Sequence, residues 1–259
     1  MKELLLAIDT STEVTAVGLA WLSEATLETF ATAVVDAPRA AMSRVLPTAS
    51  SLLAGGKLTM HDVSAVVVGR GPGSFTGVRI GVATAKGLAH GGGVPLWGVG
   101  TLDAIAWGVA SERTVLLGVL GDAMRGEVYP ALFRCGNGRA VRVASDRVAK
   151  PDDVAREWAQ LGEPIMLAGN ALRKYGDQFC EVIGEHATIT DEQLWVPSAK
   201  GLFRAFVAAR SSGESGSGDV ADVLPVYTRL SDAEEDERAR AGLPLAQTPD
   251  SGVTGGALA

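Results

Sequence analysis

The stretch 62-DVSAVVVGRGPGSFTGVRIGVATAKGLAH-90 carries the signals that decide the fold. Ala65–Gly69, with three consecutive valines, predicts a strand covered on both faces, because β-branched side chains pack well on a pleated surface. In the turn that follows, Gly71 and Gly73 permit backbone angles closed to other residues, and Pro72 fixes its own φ. Ser74 or Thr76 can then cap a helix over about Phe75–His90 by offering a side-chain oxygen to amides of its first turn.

That helix is rich in small residues. Gly77, Gly81 and Ala85 recur at every fourth position, and each glycine inside a helix costs about 1 kcal/mol relative to alanine. Repeated costs in one helix imply a compensating close approach of another backbone, either inside the fold or between subunits. Val78, Ile80, Val82 and Leu88 surround the bare face. The competing reading is a phosphate cradle, since a glycine-rich turn entering a helix is a site for anions. The stretch fits neither G-x-x-x-x-G-K-[ST] nor G-x-G-x-x-G with a downstream acid.

Outward from this unit, the 259 residues are 47% hydrophobic, enough for a substantial core in one large domain or two lobes. A net charge of -7 argues against unaided binding to nucleic acid, which needs clustered Lys and Arg to neutralise phosphates. Cys135 and Cys180 are too few for a disulfide framework and read as small hydrophobes. The apolar run after Lys2 and Glu3 is ended by Asp9, and no run approaches a membrane span. A cytoplasmic, soluble protein without membrane contact is the expectation.

Leu4–Ile8, Val14–Trp21 and Leu27–Val35 read as strands, and Ala40–Leu53 as a helix that Pro47 should bend or split. After the opening unit come a strand over Pro95–Val99 and a helix over Thr101–Val109. The second half repeats the order. Val115–Leu120, Glu127–Arg134 and Ala140–Val148 read as strands, Pro151–Leu161 as a helix and Pro164–Ala168 as a strand. Ala171–Cys180 follows as a helix, Ala187–Thr190 as a short strand and Ser198–Arg210 as a helix. The duplication predicts an α/β fold with a first lobe over 1–110 and a second over 111–210. A linker and docked segment cover 211–230, and the charged, small-residue tail over 231–259 is expected to be disordered.

The repeat aligns Asp9 with Asp122, each at the end of an apolar strand before a polar turn. Each aspartate can simply cap its turn. Around a pseudo-dyad the two would instead face one cleft, where carboxylates hold a metal ion and its phosphate ligands, with Thr10 and Ser11 beside them. Arg70, Arg79 and Arg125 could meet an anion or form ordinary salt bridges. His61, His90 and His186 lack ligand spacing, and no histidine has a claim to activate Ser74.

AIDTST at 7–12, GRGPGSFTGVRIG at 69–81, AKGLA, DAMRGEVY and PVYTR together resemble, in order, the TsaB (YeaZ) family of bacterial tRNA threonylcarbamoyladenosine biosynthesis proteins. The resemblance implies two ribonuclease-H-like lobes of the actin, Hsp70 and sugar-kinase (ASKHA) type. It implies a non-catalytic subunit that binds a catalytic paralogue, TsaD, and an ATPase, TsaE, meets tRNA only through that complex, and self-associates when alone. It places the partner contact on the first two helices: Met42 and Leu46, then Gly73, Phe75, Gly77, Val78, Gly81 and Ala85. It implies no cofactor of its own, with room for ATP or ADP at a subunit interface. Asp9, Thr10, Ser11 and Asp122 keep an alternative open, a stand-alone ATP-binding kinase or ATPase of the same fold.

Overall fold

A computed structural model describes residues 2–24, 26–36, 41–228 and 240. The first half forms β1 (Glu3–Asp9), β2 (Val14–Leu22), β3 (Leu27–Asp36), α1 (Ala41–Gly55), β4 (Ala65–Gly69), α2 (Phe75–Gly92), β5 (Leu96–Val99) and α3 (Thr101–Val109). The second forms β6 (Val115–Asp122), β7 (Val128–Gly136), β8 (Arg139–Arg142), α4 (Pro151–Ala159), β9 (Ile165–Ala168), α5 (Leu172–Ile183), β10 (Ala187–Ile189) and α6 (Ala199–Ser212). The tail expected from Ser231 lies outside the described residues apart from Arg240.

Two five-stranded sheets have the same order, β3-β2-β1-β4-β5 and β8-β7-β6-β9-β10. In each, the first three strands form an antiparallel meander and the inner strand pairs in parallel with the one that follows the first crossover. The duplication read from the sequence is thus a duplicated topology.

The continuous apolar runs of β1 and β4 are covered on both faces. Leu4, Leu6, Ile8, Val66 and Val68 pack with Val45 and Ala49 of α1 and Val78, Val82 and Ala85 of α2. Leu5, Ala7 and Val67 point the other way, onto Leu202, Phe203 and Phe206 of α6. In the second sheet, Leu117 and Val119 meet Leu102, Ile105 and Ala106 of α3, while Leu116, Leu120 and Leu167 meet α4 and α5 through Val154, Trp158 and Phe179. The layers therefore run α1 and α2, first sheet, α6 beside α3, second sheet, α4 and α5.

The two halves of the chain, divided at 110 in the sequence reading, exchange a helix. The α3 helix ends the first half of the chain but lines the second sheet, and α6 ends the second half but covers the first sheet. The exchange requires the two helices to touch, and Gly201 makes that approach feasible. A Cβ at Gly201 would stand 2.0 Å from the Ala104 carbonyl oxygen.

Four further expectations change. Pro47 lies within a continuous α1; it is exposed, where water can serve the carbonyl that a helical N–H would have bonded. β8 stops at Arg142 instead of reaching Val148. Arg142 pairs with Asp103 (2.7 and 3.0 Å) and Asp146 (2.6 Å), and this drives the chain out of the sheet until Val128 bridges Ala149. The α5 helix runs past Cys180 to Ile183. Ser211 and Ser212 of the expected linker belong to α6. The segment after it lies against the body: Leu96 N donates to Gly218 O (3.0 Å), Val226 N donates to Arg70 O (2.8 Å), and Val223 is buried.

A methyl group at position 201 has only backbone to push against. Gly201→Ala should lower stability by about 2 kcal/mol or more, read as a shifted urea midpoint with an unchanged slope.

Candidate functional site

The sequence pointed to a cleft around Asp9, Thr10, Ser11 and Asp122, and to a bare ridge on α2. The structure joins most of these residues in a single buried knot. The Asp9 carboxylate ends β1 with no exposure. Its Oδ1 accepts from the backbone N of Ser11 (2.7 Å) and from Ser11 Oγ (2.5 Å), and its Oδ2 accepts from Thr101 Oγ1 (2.8 Å). Thr101 Oγ1 in turn accepts from Gly71 N (3.1 Å), tying the glycine-rich turn to the first residue of α3. Burial pushes the Asp9 carboxyl above its ordinary range, against the opposing effect of the donors from Ser11 and Thr101.

The ridge on α2 faces the same turn. Thr10 Oγ1 donates to Gly77 O (2.6 Å), and Ser74 N donates to Ser11 O (2.7 Å). Cβ atoms at Gly73, Gly77 and Gly81 would stand 2.3 Å from Ser11 O, 2.1 Å from Thr10 O and 2.5 Å from Thr10 Oγ1. Ser74 is the helix cap, its Oγ accepting from Gly77 N (3.2 Å). The close approach deduced from the glycine spacing is therefore internal. Gly77, Val78, Gly81 and Ala85, to which the resemblance assigned a partner contact, are buried within their own lobe. Asp9, Thr10 and Ser11, the expected nucleotide ligands, are buried too, and their side chains bond within the knot. Gly73 is half-buried against Ser11.

Asp122 lies apart from that knot, in the second hairpin. Its Oδ1 accepts from Met124 N (3.0 Å) and its Oδ2 pairs with Lys174 Nζ (2.5 Å). Met124 and Arg125 in the turn both have positive φ, 61° and 50°. The seam between lobes is closed by residues that the sequence reading did not single out. Glu13, in the first hairpin turn, accepts from Asn170 Nδ2 (2.8 Å) and Arg173 Nη1 (2.6 Å), while Asn170 Oδ1 accepts from Asp122 N (2.9 Å). Nothing in the local sequence distinguishes Glu13 from any other turn acid, because its partners lie more than 150 positions away.

What α1 and α2 do expose is a different set. Met42 is 73% exposed, Leu46 47% and Phe75 41%, and Tyr227 of the docked segment is 40% exposed. Arg79 lies over the Phe75 ring at 3.6 Å and donates through Nε to Tyr227 Oη (2.8 Å). Arg79 and Tyr227 thus join Phe75 in one exposed cluster, while Met42 and Leu46 are exposed on α1. Among the described residues no helix is long and apolar enough to cross a membrane.

Paired sheets of one topology, with the helices between them exchanged, define a two-lobed α/β protein of the actin, Hsp70 and sugar-kinase type. The family model described as TsaD, tRNA N6-adenosine threonylcarbamoyltransferase, matches residues 35–213. The chain is 33% identical over 230 residues to the tRNA threonylcarbamoyladenosine biosynthesis protein TsaB of Escherichia coli, covering 87% of this chain and 94% of that protein. It is 32% identical to the Bacillus subtilis TsaB, covering 89% and 96%. An uncharacterized protein of Mycobacterium leprae is 41% identical over 182 residues, 70% of this chain and 47% of that one. The solved structure of YeaZ from Pseudomonas aeruginosa superposes with a TM-score of 0.71 at 30% identity, over 87% of this chain and 99% of that one. The chain belongs to the TsaB (YeaZ) family.

The Asp9 knot makes a prediction with a definite sign. The unfolded chain releases the Asp9 proton near 3.8, whereas the folded protein holds it to higher pH, so this group's contribution to stability falls as pH rises through that window. Asp9→Asn removes the dependence, so wild-type stability minus variant stability in urea should decline as pH rises above 3.8; a flat difference would refute the assignment. Gly81→Leu should cost about 3 kcal/mol or abolish folding, because its Cβ alone collides with Thr10.

Proposed function

We propose that this protein takes part in forming threonylcarbamoyladenosine in tRNA as a non-catalytic subunit. Its exposed α1 and α2 surface docks on a catalytic TsaD-type paralogue, and the ATPase TsaE joins the pair in the cytoplasm. One observation carries the reading: Met42, Leu46 and Phe75 stand in water on adjacent helices, while Asp9, Thr10 and Ser11 are folded into the core. Large apolar side chains exposed together mark a surface intended for another protein. The relatives named TsaB support the pathway.

Mixing the purified chain with a TsaD-type partner and measuring mass in solution tests the proposal. Met42→Glu combined with Leu46→Glu should weaken the complex at least about tenfold, the loss typical of central apolar anchors, with thermal unfolding unchanged because both side chains are already exposed. Association that survives the double substitution would remove this face from the contact.

A further inference from the structure

A cavity of about 260 Å³ lies on the α6 side of the first sheet, where the exchanged helices meet. Leu27 at the start of β3, Trp107 on α3, and Val207 and Ala208 on α6 give it apolar walls. Arg139, the first residue of β8, and Arg204 of α6 stand in the same lining. The hydroxyl proton of Ser211, at the rim, is spent on Val207 O (2.8 Å). The polar anchors of the cavity are therefore two guanidinium groups.

The two cations differ in what they already do. Arg204 is committed to the fold: its Nη1 donates to Trp107 O (2.7 Å) and Ala110 O (3.1 Å), carbonyls at the end of α3 that the helix itself leaves open. Its Nη2 donates to Gly138 O (2.5 Å). Arg139 is uncommitted, since its guanidinium has no hydrogen bond or ion pair among the described residues. Its backbone is nonetheless fixed. It follows the Asn137 and Gly138 turn, with φ of 49° and 69°, which Gly138 N pins to Ser111 O (2.9 Å). One carboxylate is near: a Cβ at Gly138 would stand 3.4 Å from Glu112 Oε1 and 3.6 Å from Arg204 Nη2, so Glu112 offsets one of the two charges. The excess left at the cavity is a single positive charge on Arg139.

We propose that this cavity binds a small monoanionic carboxylate with an aromatic or branched aliphatic body. The body lies against Leu27, Trp107 and Val207, and the carboxylate meets Arg139, whose forked donors suit two oxygens. The size agrees. A cavity of about 150 Å³ holds benzene, so this one has room for a ring and a short arm ending in the acid. An uncharged ligand would leave Arg139 without a partner, and a dianion would lack a second free cation. Because the walls come from both halves of the chain, the occupant ties the lobes together. The site is separate from the α1 and α2 surface and does not rest on the proposed function.

Titration of the isotopically labelled full chain with hydrocinnamate, and separately with isocaproate, tests the site by nuclear magnetic resonance at the Trp107 indole N–H. That signal is assigned by its loss in Trp107→Phe. At least one acid should give a saturable shift with a millimolar Kd, as expected for about ten non-hydrogen atoms at ordinary ligand efficiency. The uncharged amide of the same acid should bind about fivefold more weakly, the upper range for an exposed ion pair. Arg139→Gln should weaken the acid by that factor and leave the amide unchanged. Ala208→Leu, which fills the cavity from a half-buried position, should abolish both. Arg139 is exposed, so its substitution decides the matter even where Ala208→Leu disturbs the fold. No saturable shift with either acid would overturn the proposal, as would equal affinity for acid and amide or acid binding that Arg139→Gln leaves unchanged.

Discussion

The approach of the α2 backbone to the turn after β1 sets the geometry of the whole molecule. Thr10 can lay its carbonyl oxygen against Gly77 and its hydroxyl against Gly81 only because neither position has a Cβ. That contact presses the turn inward and buries the Asp9 carboxylate, and a buried carboxylate must find donors. It finds them on Ser11 and on Thr101, the first residue of α3. Because α3 lines the second sheet, a packing decision made between two glycines and a threonine in the first lobe is transmitted to the placement of the other lobe.

The chemical character of the protein follows from the same knot. A strand-end aspartate followed by Thr and Ser is suited to hold a phosphate or a metal when it opens onto a cleft. Here all three side chains are consumed by the fold, and Glu13 with Asn170 and Arg173 draws the lobes together across the seam. Polar groups that are fully satisfied rigidify a structure and leave little for a ligand to gain. The outer sides of α1 and α2 expose Met42, Leu46 and Phe75, with Arg79 held against Phe75 and Tyr227.

Much of the fold was legible in the sequence. Nearly every element lies where its periodicity and turn residues placed it, and the repeated order of elements became a repeated sheet order. The exceptions share a cause. β8 is cut short by Arg142 reaching Asp103 and Asp146, and the lobes exchange α3 and α6 because each helix finds its apolar cover on the other half's sheet. The candidate site was legible in part. Met42, Leu46 and Phe75 are exposed, whereas Tyr227, Arg79, Glu13 and Asn170 gain their roles from partners distant in the chain.

By itself the sequence favoured a close approach of another backbone to the α2 helix over an anion site, because glycines at every fourth position are costly to keep without such a neighbour. It also determined the strands, the duplicated order and the family. Only the tertiary structure decided which backbone makes that approach and which side of the helix is left for other molecules. The physical reason is that residue spacing fixes which side chains share a face, whereas what opposes the face depends on where distant segments come to rest.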